Sequence, residues 1–316
     1  MMGRYLGDRE GFALMMTIWV VVFLTVVAMS FVFSGRLSTA MTANLRDETM
    51  AYYGALSIYN SLLGRISSDT DPTIDFVDEK GRFFLDIEHG PLPERIEEAG
   101  VVARVRVTDE EARINLNRMS QKMLLKVLDS LSVDEEDQDV FRDSLYDWID
   151  RDDAHRLNGA EDEYYEKFGY KAKNGYLDLP DELVLIRGFR EKLADSVRKG
   201  DLLKDFTTFG TGGINVNTAP PSLLALLGLT ENQIDMIMAQ RNETVGGVRF
   251  VPREITPFGV TRTATSYFRI EITARPRGSK TGYRILAVIR RYPAPKGYRF
   301  KTLYWKEDVI YSNNKA

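Results

Sequence analysis

The sequence predicts an α+β chain: a long amino-terminal helix, then an antiparallel sheet into which a large helical domain is inserted. Three observations carry this. An apolar run, Phe12 to Gly35, holds no charged residue, and no proline interrupts the chain from Phe12 to Arg65. Segments with strand-like alternation lie early and late in the chain, on both sides of its middle. The middle, about residues 113–245, reads as short helices joined by polar loops.

The apolar run is long enough to cross a bilayer, which takes about 20 apolar residues as a helix. A secretory signal has a core of only about 7–15, so an uncleaved anchor is the simplest reading. Arg4 and Arg9 before the run and Arg36 after it give a weak preference for a cytoplasmic start. Helical periodicity continues outward through Met41, Leu45, Tyr52, Leu56, Tyr59 and Leu63, which predicts one buried face on a helix about 80 Å long. That face needs a cover, either a folded part of the same chain or neighbouring subunits of an assembly.

Residues 69–82 are polar, contain Pro72 and Gly81, and read as a loop. The strand candidates begin after it: 83–89 (FFLDIEH), a turn-rich stretch, then 101–107 (VVARVRV), where Val101, Ala103, Val105 and Val107 alternate. SYFRIEITA (266–274), RILAVIRRY (284–292) and KTLYWK (301–306) complete the set, and RPRGSKTG (275–282) reads as a hairpin loop.

Between them lie helical patterns at 122–131, 135–150, 160–169, 179–188, 221–228 and 231–242. Two segments echo each other, ARINLNRMSQKMLLKVL (112–128) and GGINVNTAPPSLLALLG (212–228). In each, I-N-x-N precedes an apolar helix, so the asparagines are expected to cap helix starts.

Composition excludes several chemistries. With no cysteine, disulfides, thiol catalysis and Cys-based zinc sites are absent, and two histidines, His89 and His155, cannot build a multi-His centre. Charge is segregated. Residues 119–205 carry 22 acidic and 14 basic side chains, whereas 249–306 carry 14 basic ones and only Glu254 and Glu271 as acids. A protein surface complementary to the basic region, the chain's own acidic domain included, is the expected partner.

The densest acidic stretch, DWIDRDDAHRLNGAEDEYY (147–165), brings Asp147, Asp150, Asp152, Asp153, Glu161 and Asp162 across one loop. Hard oxygen donors on a loop containing Gly and Asn suit Ca²⁺. Aligned as an EF-hand from Asp150, the loop has Ala154 and His155 at positions 5 and 6, so it is not one. It reads equally as a calcium loop of its own geometry or as a solvated loop of helix-capping carboxylates. No distinctive catalytic carboxylate pair, Gly-rich phosphate loop or G-x-S-x-G occurs, and S-x-x-K at Ser196–Lys199 lacks its partner motifs. The chain is therefore expected to be no enzyme and to take no small-molecule substrate. INVNTAPPSLLALLGLTENQIDMIMAQRN (214–242) resembles a helix-hairpin-helix unit, yet Arg241 is its one base, so phosphate gripping and nucleic-acid binding are not expected.

Taken in order, GFALMMTIWVVVFLTVVA, DEEARINLN (109–117), YDWID…NGAEDEYY (146–165), LPDELVLIRG (179–188) and INVNTAPPSLLALL (214–227) resemble the general secretion pathway protein K family, minor pseudopilins of type II secretion. The resemblance implies the pseudopilin fold, with the long helix packed on the sheet. It implies a leader 1–11 removed by prepilin peptidase after Gly11, and a methylated amino terminus at Phe12. It implies a division into 12–35 in the inner membrane, 36–66 as the periplasmic helix, 67–112 and 246–316 as sheet, and 113–245 as the inserted domain. It implies I- and J-type pseudopilins as partners at the tip of a periplasmic filament, and calcium in the helical domain. Most pilin-like subunits carry Glu at the fifth mature position; here that position is Met16, as in the K type. A buried carboxylate in lipid needs a partner charge, and a subunit at the leading end has none ahead of it. The competing readings are a membrane-tethered DNA-binding protein, a membrane-anchored hydrolase and a minor pilin of a type IV pilus.

Overall fold

A computed structural model describes residues 6–199, 203–243, 246–295 and 297–311. Helix α1 spans Leu6–Ser67, about 93 Å at 1.5 Å per residue. Its two halves differ. Every large apolar side chain from Phe12 to Leu45 is exposed, whereas Ala51, Ala55, Ile58, Tyr59, Leu62 and Ile66 are buried. The covered stripe therefore starts nearly three turns later than the periodicity suggests, and Met41 and Leu45 lie outside it. The small residues explain the shift, because Ala51 and Ala55 let the helix sit close to the sheet. Gly54 marks the tightest approach: a Cβ there would meet Val101 side-chain carbons at 2.9 Å.

The sheet beneath α1 is a five-stranded antiparallel meander. Its strands are β1 (Arg95–Glu98), β2 (Val101–Asp109), β3 (Tyr267–Pro276), β4 (Thr281–Pro293) and β5 (Tyr298–Tyr311), in spatial order 1-2-3-4-5. Inward residues alternate as a half-buried sheet requires: Val101, Ala103, Val105 and Val107 on β2, and Phe268, Ile270, Ile272 and Ala274 on β3. They form one core with the buried face of α1, closed at the far edge by Tyr59 edge-on to Trp305. The neighbours β2 and β3 pair from Val101↔Pro276 to Asp109↔Phe268 although more than 150 residues separate them in sequence. The insertion thus leaves and re-enters the sheet at adjacent strand ends. Edge strand β1 occupies part of the stretch that sequence patterning reads as turn-rich. Phe83–Phe84 pairs instead with Phe76–Val77 in a separate two-stranded ladder.

The insertion has its own core, which includes Leu124, Leu128, Phe141, Leu145, Trp148, Tyr165, Leu183, Leu223 and Leu224. Its principal helices are α2 (Gln121–Ser130) and α3 (Glu135–Ile149), with further helices at Pro221–Leu226 and Glu231–Glu243. The expected helices at 160–169 and 179–188 are a single turn, Asp162–Tyr165, and 3₁₀ turns. Val248, Ile255 and Val260 belong to this core. The packed domain accordingly extends about fifteen residues past 245, because Ile214 needs a parallel partner strand and Val260 supplies it.

Candidate metal centre and the junction that holds it

The acidic loop starts at the carboxyl end of α3. Asp147, fully buried, is the node around which it wraps. It accepts from the Arg156 amide at 3.1 Å, from the Ala160 amide at 2.9 Å and from Arg156 Nη1 at 2.6 Å. The same Nη1 reaches Asp150 at 2.6 Å. Gly159 is dictated by this wrapping, since a Cβ there would lie 1.7 Å from Asp147 Oδ2. Behind the loop stands an aromatic wall in which Trp148 and Tyr165 meet edge-on at 5.1 Å and Tyr165 stacks on Tyr170. The Trp of YDWID and the second Tyr of DEYY are therefore core residues that fix the two ends of the loop.

Of the six acids singled out in the sequence, Asp147 and Glu161 are buried, Asp150 is partly buried, and Asp152 and Asp153 are exposed. Glu161 is 6 % exposed, and neither of its carboxylate oxygens has a hydrogen-bond donor. Burial first, then the charges of Asp147, Asp150, Asp153 and Asp162, push its pKa up to about 7. Asp162 faces outward, paired with Lys171 at 2.5 Å and accepting from the Ala172 amide, and Lys171 holds its carboxyl below the usual range. Asp152 makes only a local turn contact with the Ala154 amide. Three residues that patterning did not reveal complete the site. They are Gly159, Arg156 between two carboxylates, and Asn174, whose Nδ2 donates to Asp153 at 2.6 Å while its Oδ1, like Asp150 Oδ1, has no partner. Asn174 has φ +48°, and the Asn174–Gly175 pair is the turn signal that could have flagged it.

Among the described residues, no three acids or histidines close on one point as a finished metal shell. The chemistry of the donors suits a hard cation: Glu161, Asp150 and Asn174 each carry an oxygen with no hydrogen-bond partner among the described residues. The position between Asp147 and Asp150 is taken by the half-exposed Arg156 guanidinium.

The internal echo is a structural repeat with a role other than capping. α2 is capped by Ser120, and Pro221–Leu226 has no side-chain cap. The first Asn of each copy accepts from the amide of the second: Asn115 from Asn117 at 3.0 Å and Asn215 from Asn217 at 2.9 Å. The second Asn then clamps the peptide group of a passing segment. Asn117 exchanges two hydrogen bonds with Leu177, both 2.9 Å, and Asn217 does the same with Val248 at 2.9 and 2.7 Å. An Asn amide matches a backbone peptide donor for acceptor, so the repeat stitches the domain together at two equivalent places.

DEEARINLN joins this domain to the sheet. Asp109, the last residue of β2, accepts from Asn215 Nδ2 at 2.9 Å and Thr218 Oγ1 at 2.6 Å, and burial pushes its pKa up to about 6. Glu110, fully buried, pairs with Arg269 and Arg113, and Glu111 with Arg262. Part of the basic carboxyl-terminal region therefore does meet acids of the same chain, but at this junction and not across the acidic loop. In the hairpin-like unit, Arg241 donates to the Ala219 carbonyl at 2.8 Å, and burial lowers its pKa to about 10. Its charge is directed at the protein's own backbone.

Of the residues expected to be processed, Gly11 and Phe12 lie inside α1, and a Cβ at Gly11 would meet nothing within 4 Å. Phe12 and Met16 are exposed, at 61 % and 54 %. α1 is the one helix among the described residues long and apolar enough to cross a membrane.

Residues 107–199 match the family model described as Type II secretion system (T2SS), protein K. No curated protein sequence matches the chain. In three dimensions the chain is similar to a chain of the crystal structure of the GspK-GspI-GspJ complex from the enterotoxigenic Escherichia coli type 2 secretion system. The TM-score is 0.58 at 16 % identity, over 84 % of this chain and 98 % of that one. The matched segment runs from β2 through DEEARINLN, the acidic loop and LPDELVLIRG. The sequence likeness to protein K of type II secretion thus holds over residues 107–199, and the likeness in three dimensions shows that the fold is that of the matched chain.

Proposed function

We propose that this chain is a non-catalytic minor pseudopilin that starts assembly of the type II secretion pseudopilus at its tip and thereby supports export across the outer membrane. The observation that carries the reading is the division of α1. The 24-residue apolar run Phe12 to Gly35 is bare, and the same helix is covered by a sheet from Ala51 onward. A bare apolar helix of this length needs lipid before assembly and helices of other subunits after it. The inner membrane holds the chain by this span, with the folded part in the periplasm. I- and J-type minor pseudopilins are its partners, by analogy with the complex named above. Prepilin peptidase cuts after Gly11, and Phe12 becomes the methylated amino terminus. Met16 replaces the usual carboxylate, which suits a subunit with no neighbour ahead of it.

Ca²⁺ belongs to the inserted domain in this reading. Asp147, Asp150, Asp153, Glu161 and Asn174 would hold it, and the ion would supply the positive charge that the clustered carboxylates lack. Gly11→Val tests the processing step, because Gly11 is exposed and a Cβ there meets nothing within 4 Å. The variant is expected to keep its leader when co-expressed with prepilin peptidase, and normal maturation would refute the assignment. Co-purification of the full chain with I- and J-type subunits tests the tip role; failure to form that complex, with both partners folded, would overturn it.

A further inference from the structure

The sheet has a second face. α1 covers the inward side chains, while the outward positions of β1, β2 and β3 carry Arg95, Arg104, Arg106, Arg269 and Arg275 against Glu97 and Glu271. Over this face lies a groove of about 1240 Å³, walled by the inserted domain at Lys204 and Pro220 and by the β3–β4 hairpin at Arg277. Among the described residues, four of its arginines, Arg95, Arg104, Arg106 and Arg275, make no salt bridge, and their side chains make no hydrogen bond. Ordinary exposed faces mix charges and pair them across strands. Here the pairing is incomplete: Arg106 stands opposite Glu271 and the groove lining includes Glu94, Asp109 and Asp205, yet basic side chains outnumber these acids. Arg95 stands directly opposite Arg104, and like charges in that position destabilise a sheet. Arg275 Nε is buried without a partner, in room left by Gly282 on β4, where a Cβ would meet the Arg275 side chain at 2.4 Å.

We propose that this groove is a docking site for an acidic, extended peptide segment of a partner protein. Guanidinium groups match carboxylates with paired, parallel hydrogen bonds. The groove also offers Leu92, Pro93, Val102 and Pro220 beside the arginines, so it suits a segment that alternates carboxylates with apolar side chains. The two walls favour a single extended chain over the broad, uniformly charged surface of a nucleic-acid duplex. The inference is independent of the secretion reading, because it rests on side chains outside α1 and outside the acidic loop.

The test uses the full chain in zwitterionic detergent and fluorescence anisotropy. The probe is a labelled twelve-residue peptide of alternating Glu and Val, with a Gln-for-Glu control and a duplex DNA competitor. The expected result is saturable binding of the acidic peptide only, weakened at least about tenfold by the pair Arg104→Glu and Arg106→Glu, and also weakened by salt. Arg104→Lys with Arg106→Lys should retain most of the affinity. All four substitutions fall at exposed positions, and an unchanged circular dichroism spectrum would show that folding is intact. No binding at low salt, equal binding of the Gln control, an affinity unchanged by charge reversal, or displacement by duplex DNA at lower concentration than by unlabelled acidic peptide would each overturn the proposal.

Discussion

Glu161→Gln isolates the cost of burying one carboxylate among others. In the folded chain Glu161 has an ordinary value of 4.5 pushed to about 7, so the folded state holds the proton more tightly than the unfolded state. Stability from this group is therefore present at acid pH and lost as pH rises from about 4.5 to about 7. At about 1.36 kcal/mol for each tenfold in proton affinity, the gap bounds the loss at about 3 kcal/mol. Water reaches the half-exposed Asp150 and Arg156 beside it, and that screening brings the working figure to about 1–2 kcal/mol. Glutamine keeps the shape, carries no charge and can donate to the neighbouring carboxylates. Urea unfolding of the full chain, followed by circular dichroism in chelator, should find the variant more stable by about that amount at pH 8. The difference should close toward pH 4.5. Saturating Ca²⁺ should reverse the order, stabilising the wild type more than the variant. A variant that is less stable in chelator at pH 8, or a difference that ignores pH, would refute the reasoning.

Three further outcomes follow from the same geometry. Gly159→Ala drives a methyl group into Asp147, whose nearest oxygen lies 1.7 Å away; a loss of about 2–4 kcal/mol is expected in thermal unfolding, and Asp147→Ala in that background should cost less than in the wild type. Asn217→Ala orphans both polar groups of Val248 in a fully buried site and should cost about 2–4 kcal/mol, whereas Asn117→Ala, half-buried, should cost about half of that in the same unfolding assay. Asp109, pushed up to about 6 by burial, also makes stability fall as pH rises from about 4 to about 6. Asp109→Asn should flatten that part of the profile when urea midpoints are measured against pH in the Glu161→Gln background, and an unchanged slope would count against a buried, protonatable Asp109.

The apolar run, the alternation of 101–107 and 266–274, and the helical periods of the middle were legible because each is a local pattern that burial on one face imposes. DEEARINLN and YDWID…NGAEDEYY were visible as motifs, but their duties were not. The acids of the first are spent on the junction, and Trp148 and Tyr165 of the second are core. A six-carboxylate loop in sequence became, in space, two buried acids, Asp147 and Glu161, with the others partly or fully exposed around them.

By itself, then, the sequence determined the order of helix, split sheet and insertion, the missing thiol chemistry, and the segregation of charge, since all of these depend on residue type and spacing along the chain. Only the tertiary structure decided that the covered face of α1 begins at Ala51, that the asparagine repeat clamps Leu177 and Val248, and that Glu161 lacks a donor. It alone revealed four arginines on one sheet face that have no partner among the described residues. Each of these depends on groups that meet from distant parts of the chain, and a linear pattern carries no record of which solvated groups folding will bring together or leave without a partner.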